Sequence, residues 1–107
     1  MNPLAQQRCR PLTGPALAPD KIGKQLLATP GWALVNDAIE KTFRFDDYHR
    51  TMAFVNAVAW IAHAEDHHPD LLVTYDRCQV RYSTHSVGGI SLNDFICAAK
   101  VDALQGT

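Results

Sequence analysis

Apolar positions along the chain switch between helical and strand-like spacing, and the switches outline a helix, two strands, a helix, two strands and a helix. From Pro19-Asp20 to Ala28, Ile22, Leu26 and Leu27 fall on one side of a short helix that Thr29-Pro30-Gly31 ends. Residues 32–35 and 38–45 flank Asn36-Asp37, a pair that tolerates left-handed turn geometry, and predict a β-hairpin with Ile39, Lys41, Phe43 and Phe45 on one face. Asp46 or Asp47 then caps a long helix in which Tyr48, Met52, Val55, Ala59 and Ala62 follow steps of four and three. Phe54, Val58, Trp60 and Ile61 widen the apolar surface beyond that stripe, as expected of a helix covered on more than one side, and a subunit contact is one explanation.

Pro69 ends or closely follows the long helix, and residues 71–75 and 78–83 predict a second hairpin around Asp76-Arg77, with Cys78, Val80 and Tyr82 on one face. Gly88-Gly89 interrupts the pattern. Ser91-Leu92-Asn93-Asp94 opens a last helix with a capping-box arrangement, running to about Leu104. Ahead of all this, Pro3, Pro11, Pro15 and Pro19 break any regular period, so residues 1–17 are expected to form an extended arm without chemistry and residues 18–107 a single domain.

Composition narrows the class. A chain of 107 residues has room for one modest core, and its formal charge of −1 leaves no electrostatic footprint for direct nucleic-acid binding. Cys9, Cys78 and Cys97 are odd in number and widely spaced, which suggests neither a disulfide framework nor a zinc ribbon. With no leader-like start and no stretch of membrane-spanning length, a cytoplasmic protein is expected.

The unusual feature is histidine density: His63, His67 and His68 fall within the run from His63 to Pro69. Imidazoles titrate near neutral pH, so such a cluster suits proton transfer or ligand binding. His63 and His67, four apart, would also project from one helix face as metal ligands do, although Ala64 stands where a metalloprotease helix carries its glutamate. Solvated or helix-capping histidines are the third possibility, and spacing does not choose among the three.

His67-His68-Pro69, Tyr75, His85 and Asp94, at these separations, together resemble the signature of the pterin-4a-carbinolamine dehydratases. Gly31-Trp32, Phe43-Arg44-Phe45, Ser83-Thr84-His85 and Gly88-Gly89 also resemble family sequence, and the resemblance extends from about Leu12 to Ala103. His63 stands where an acid is common, and Leu71 where some members carry tryptophan. The resemblance implies an α+β fold: a four-stranded antiparallel sheet with three helices packed on one face, assembled as a homodimer or homotetramer. It implies loss of water from a 4a-hydroxytetrahydropterin without cofactor or metal, in tetrahydrobiopterin recycling beside an aromatic amino acid hydroxylase.

Carried over residue by residue, His67, His68 and His85 are the catalytic or binding histidines, with His67 and His85 expected to transfer protons and His68 to orient the pterin. Asp66, His63, Tyr75 and Asp94 are candidates for substrate binding. Each has a simpler reading beside it. Asp94 is explained as a helix cap, Asp66 as a solvated acid, and Tyr75, at strand spacing with Leu71 and Val73, as core or pocket wall. His49 reads as a surface residue. Two rival functions remain: a non-enzymatic dimerisation cofactor for a transcription factor, which some members of the family are, and a metal protein using His63, His67 and His85.

Overall fold

The computed structural model describes residues 2–105. Its elements follow the expected order: α1 (Pro19–Ala28), β1 (Ala33–Val35), β2 (Ala38–Arg44), α2 (Tyr48–Glu65), β3 (Asp70–Val73), β4 (Arg77–Tyr82) and α3 (Leu92–Ala103). The four strands form one antiparallel sheet in the order β1-β2-β4-β3. The fold is α+β.

Strand alternation divides the sheet into two faces. Register pairs Ile39 with Tyr82, Lys41 with Val80 and Phe43 with Cys78, while Leu71 and Val73 sit opposite Val80 and Cys78 on the other side of β4. These side chains, apart from Lys41, join the core with Phe54 and Val58 of α2 and Phe95, Ile96 and Val101 of α3. The opposite face is polar, with Glu40 paired to Arg81 at 3.5 Å and Thr42 opposite Gln79. Trp32, just before β1, closes one end of the core: its ring meets Phe43 edge-on at 6.1 Å, and its indole N–H donates to both Asp102 carboxylate oxygens at 3.1 Å. Lys41 reaches the same carboxylate at 2.8 Å, which satisfies a charge on the covered side of the sheet.

Three expectations need correction. On α2 the buried stripe is Thr51, Phe54, Val58 and Ala62, whereas Tyr48 and Ala59 of the expected stripe are exposed and Met52 and Val55 only half-buried. Thr51 explains the displacement: it is buried because its hydroxyl bonds the carbonyls of Asp47 and Tyr75 at 2.8 and 3.0 Å, which a count of apolar positions does not register. The third strand stops at Val73, because the Thr74 N–H turns to bond the Arg77 carbonyl at 2.9 Å, and Tyr75 falls in the turn. The arm begins with a 3-10 turn at Pro3–Gln6 that buries Leu4 in the core.

That turn packs on α3, where the Lys100 ammonium donates to the Ala5 carbonyl at 2.8 Å. Farther along, Asn93 clasps the arm backbone, accepting from Arg10 N–H at 3.2 Å and donating to the Arg10 carbonyl at 2.7 Å. These bonds satisfy backbone groups that have no helix or sheet partner.

Candidate active site

The site lies where α2 ends. Asp66, in the left-handed conformation with φ 51°, stops the helix, and its N–H closes the last turn onto Ala62 and His63. The chain leaves at a sharp angle and sets the His67 ring over β4, nearly parallel to the Tyr82 ring with centroids 5.6 Å apart. His67 Nε2 meets Asp94 Oδ1 at 2.6 Å. The His67 side chain is 12% exposed and the Asp94 side chain fully buried.

Asp94 is both the helix cap the sequence suggested and the partner of His67. Its Oδ2 accepts from the Ser91 N–H at 2.9 Å and from the Thr84 hydroxyl at 2.9 Å. The Thr84 and Ser91 oxygens are 2.7 Å apart, and because Thr84 spends its one proton on Asp94, Ser91 donates to Thr84. An acceptor at Asp94 Oδ1 takes the proton on His67 Nε2, which leaves Nδ1 as the ring nitrogen without a hydrogen-bond partner among the described residues.

A cavity of about 380 Å³ opens beside this pair, walled by His67 and Asp66, by Thr84 and Ser86, and by Cys9 to Leu12 of the arm. Its volume lies in the range of small-molecule sites, roughly 300–1,000 Å³. The arm, of which the sequence leads one to expect no chemistry, therefore lines the candidate site. Glu65 holds it there: with 5% of its side chain exposed, it accepts from Arg8 Nε and from the Cys9 N–H, each at 2.8 Å. Burial pushes the Glu65 carboxyl up, but the Cys9 N–H and then the Lys100 and Arg8 cations outweigh it and hold the group below its ordinary value.

The other expected residues are spread around this centre. His85 opens a 3-10 turn (His85–Val87) and lines an adjoining depression of about 250 Å³ with Asp37 and Gly88. Thr84 belongs to both hollows, so His67 and His85 lie on two depressions that meet at one residue. His68 is exposed, and among the described residues neither its ring nor that of His85 makes a hydrogen bond or ion pair. His63 is exposed against Trp60, ring centroids 5.8 Å apart, and is not on the wall of the His67 cavity. Tyr75 is exposed and stacked on Tyr48 at 6.4 Å, neither core nor wall of that cavity. Among the described residues no three His, Cys, Asp or Glu side chains converge as metal ligands.

Sequence reasoning missed Tyr82, Thr84, Glu65 and the arm. Tyr82 falls on one strand face with Cys78 and Val80, and nothing in its spacing reveals that a histidine fifteen positions earlier stacks on it. Thr84 beside His85 carried a signal, since a hydroxyl next to a candidate catalytic histidine is a natural partner for a nearby carboxylate.

Comparison with known proteins places the chain in a family. The family model described as pterin 4 alpha carbinolamine dehydratase matches residues 15–104. A relative from Stenotrophomonas maltophilia is 60% identical over 109 residues, covering 95% of this chain and 91% of its own. One from Nitrosospira multiformis is 51% identical over 106 residues, covering 97% and 94%. Both carry the provisional name pterin-4-alpha-carbinolamine dehydratase. Among solved structures, a transcriptional coactivator/pterin dehydratase from Brucella melitensis superposes with a TM-score of 0.80 at 32% identity, covering 83% of this chain and 97% of that one. A pterin dehydratase-like protein identified as a RuBisCO assembly factor in the alpha-carboxysome gives a TM-score of 0.58 at 25% identity, covering 71% and 88%. By the extent of the family match and the identity to its relatives, the chain belongs to the pterin 4 alpha carbinolamine dehydratase family.

Proposed function

We propose that the protein is a 4a-hydroxytetrahydropterin dehydratase, a hydro-lyase that converts 4a-hydroxytetrahydrobiopterin to quinonoid dihydrobiopterin and water. The observation that carries this reading is His67, held by the buried Asp94, on the wall of a cavity of about 380 Å³. In the reaction the C4a–O bond breaks, the departing hydroxyl takes a proton to become water, and N5 gives up its proton. An acid and a base of near-neutral pKa serve both transfers, each typically contributing about 10²–10⁴ in rate. His67 is arranged to act at Nδ1 as the base: Asp94 fixes its orientation and faces the charge that arrives on the ring with the proton. His85, across Thr84, supplies the acid, and His68 binds and orients the pterin with Asp66 beside it.

The physiological setting in this reading is tetrahydrobiopterin recycling in the cytoplasm beside an aromatic amino acid hydroxylase, by a homodimer or homotetramer that engages neither membrane nor nucleic acid. Exposed Leu34 and Val35 on edge strand β1, Leu72 on edge strand β3 and Trp60 on α2, 68% exposed, are among the apolar surfaces available to subunit contacts. The test is the decay of freshly generated 4a-hydroxytetrahydropterin. The native protein accelerates it and a folded His67→Ala/His85→Ala double variant does not; absence of acceleration by native protein would sink the assignment.

A second reading draws on the two structural relatives, one a transcriptional coactivator/pterin dehydratase and the other a pterin dehydratase-like RuBisCO assembly factor. The same fold would then serve as a protein-binding module, with exposed Trp60 as its contact. A Trp60→Ala variant that keeps full dehydratase activity while losing a partner would favour this role.

A further inference from the structure

Cys9 and Cys97 are 88 positions apart in sequence, yet their sulfurs lie 3.5 Å from each other. Both are free thiols, and the pair is not used by the reaction proposed above. Their surroundings differ. Cys9 is half-buried, sits on arm backbone that belongs to no helix or strand, and lines the cavity beside His67. Cys97 is fully buried on α3 between equally buried neighbours.

We propose that Cys9 and Cys97 form an oxidisable pair, and that a peroxide converts them to a disulfide that bolts the N-terminal arm onto α3 at the edge of the cavity. A disulfide requires sulfurs about 2.05 Å apart, so the pair closes by roughly 1.5 Å. Eight of the twelve residues of α3 are buried, so the arm supplies the movement. The cavity gives a small oxidant access to Cys9 and none to Cys97, which sets the order of events.

Cys9 sulfur attacks one peroxide oxygen, the O–O bond breaks, and the other oxygen leaves as water, giving a sulfenic acid. Cys97 sulfur then attacks the Cys9 sulfur, the S–O bond breaks, and hydroxide leaves as a second water with the Cys97 proton. Two electrons pass from the two sulfurs to the peroxide. The hydrogen bond with Cys9 and then burial push the Cys97 thiol up, so its thiolate is scarce; standing contact between the sulfurs replaces a diffusive encounter and offsets that handicap. The site also selects among oxidation products. A disulfide is neutral, whereas a sulfinate on Cys9 would place a second negative charge beside Glu65, whose carboxylate already accepts from the Cys9 N–H.

The test uses the full chain and is independent of any pterin chemistry. Reduced protein is treated with hydrogen peroxide, then denatured in an alkylating reagent, and the labelled thiols are counted by intact mass. The expected result is a fall from three labelled thiols to one, Cys78, reversed by dithiothreitol, with a proteolytic peptide joining Cys9 to Cys97. In Cys9→Ser protein Cys97 stays labelled. Three thiols still labelled after a dose that oxidises free cysteine in the same buffer would overturn the proposal. So would a disulfide that uses Cys78 or joins two chains, or Cys9 trapped as a sulfinic acid with Cys97 unchanged.

Discussion

His67 lies flat on Tyr82, the two ring planes within 10° of parallel, while Asp94 grips the ring edge at Nε2. The stack fixes the plane of the imidazole and the carboxylate fixes its rotation within that plane, so Nδ1 points in one direction. Such preorganisation is what a proton-transfer residue requires.

Asp94→Asn separates the orienting role from the capping role. An amide retains one acceptor oxygen, which can serve either His67 or the Ser91 and Thr84 donors, but not both. We expect turnover to fall by at least about tenfold with KM nearly unchanged, and stability to fall by about 1–3 kcal/mol, the usual cost of a buried polar group left unpaired. Steady-state kinetics and urea denaturation measure the two effects. Unchanged turnover in a destabilised variant would reduce Asp94 to a helix cap.

Tyr82→Phe tests the floor of the site. Among the described residues the buried Tyr82 hydroxyl makes no hydrogen bond of good geometry, its polar neighbour being the Cys97 thiol, and burial followed by that neighbour pushes its ionisation well above the ordinary range. Removing an unsatisfied hydroxyl while keeping the ring is expected to leave stability unchanged or raise it by up to about 1 kcal/mol. Turnover should hold, because the stack on His67 is retained, whereas Tyr82→Leu should lower it. Thermal melts and kinetics of the two variants decide this, and a destabilised Tyr82→Phe would mean that the hydroxyl has a partner.

Gly31 holds a backbone conformation that side chains rarely adopt, φ 89°, and a Cβ there would stand 3.0 Å from Lys41 Cε. Gly31→Ala should therefore cost about 1–2 kcal/mol in backbone strain alone, with more if Lys41 is pushed off Asp102. Lys41 and Asp102 anchor Trp32, whose ring lies 6.3 Å from that of Tyr82, on which His67 stacks; none of the three touches His67 itself, so activity per folded molecule should change little. Parallel measurement of melting temperature and turnover checks both halves, and a large loss of turnover at full folding would contradict them.

Much of the fold was legible because its signals are local. Asn36 takes the left-handed conformation that its place in the first turn suggested, Asp47 caps α2, and the Ser91-to-Asp94 spacing marks the start of α3. The errors arose where a polar group is buried for a reason elsewhere in the chain. Thr51 is inside because Tyr75 supplies a carbonyl, and Glu65 is inside because the arm supplies an N–H and a guanidinium. At the site, the type of each histidine was legible but its company was not. Tyr82 and Thr84 lie fifteen and seventeen positions after His67, and only the sheet brings them to it.

Glu65 makes the arm sensitive to acid. Its carboxyl is held below its ordinary value in the folded chain, so its contribution is full above the unfolded value of about 4.3 and is lost as pH falls through the lower folded value. Protonation there removes the attraction to Arg8 and Lys100 and weakens the bond to the Cys9 N–H. Amide hydrogen exchange should accordingly show Cys9 protected near pH 6 and losing protection below about pH 4, while amides of α3 stay protected. At neutral pH, Glu65→Gln reproduces part of the effect: the amide still accepts from Cys9 but no longer holds the two cations. Tryptic cleavage after Arg8 should quicken several-fold, and because residues 9–12 wall the cavity, KM should rise more than turnover falls. Equal cleavage rates in the two proteins would show that backbone contacts to Asn93 hold the arm without help from Glu65.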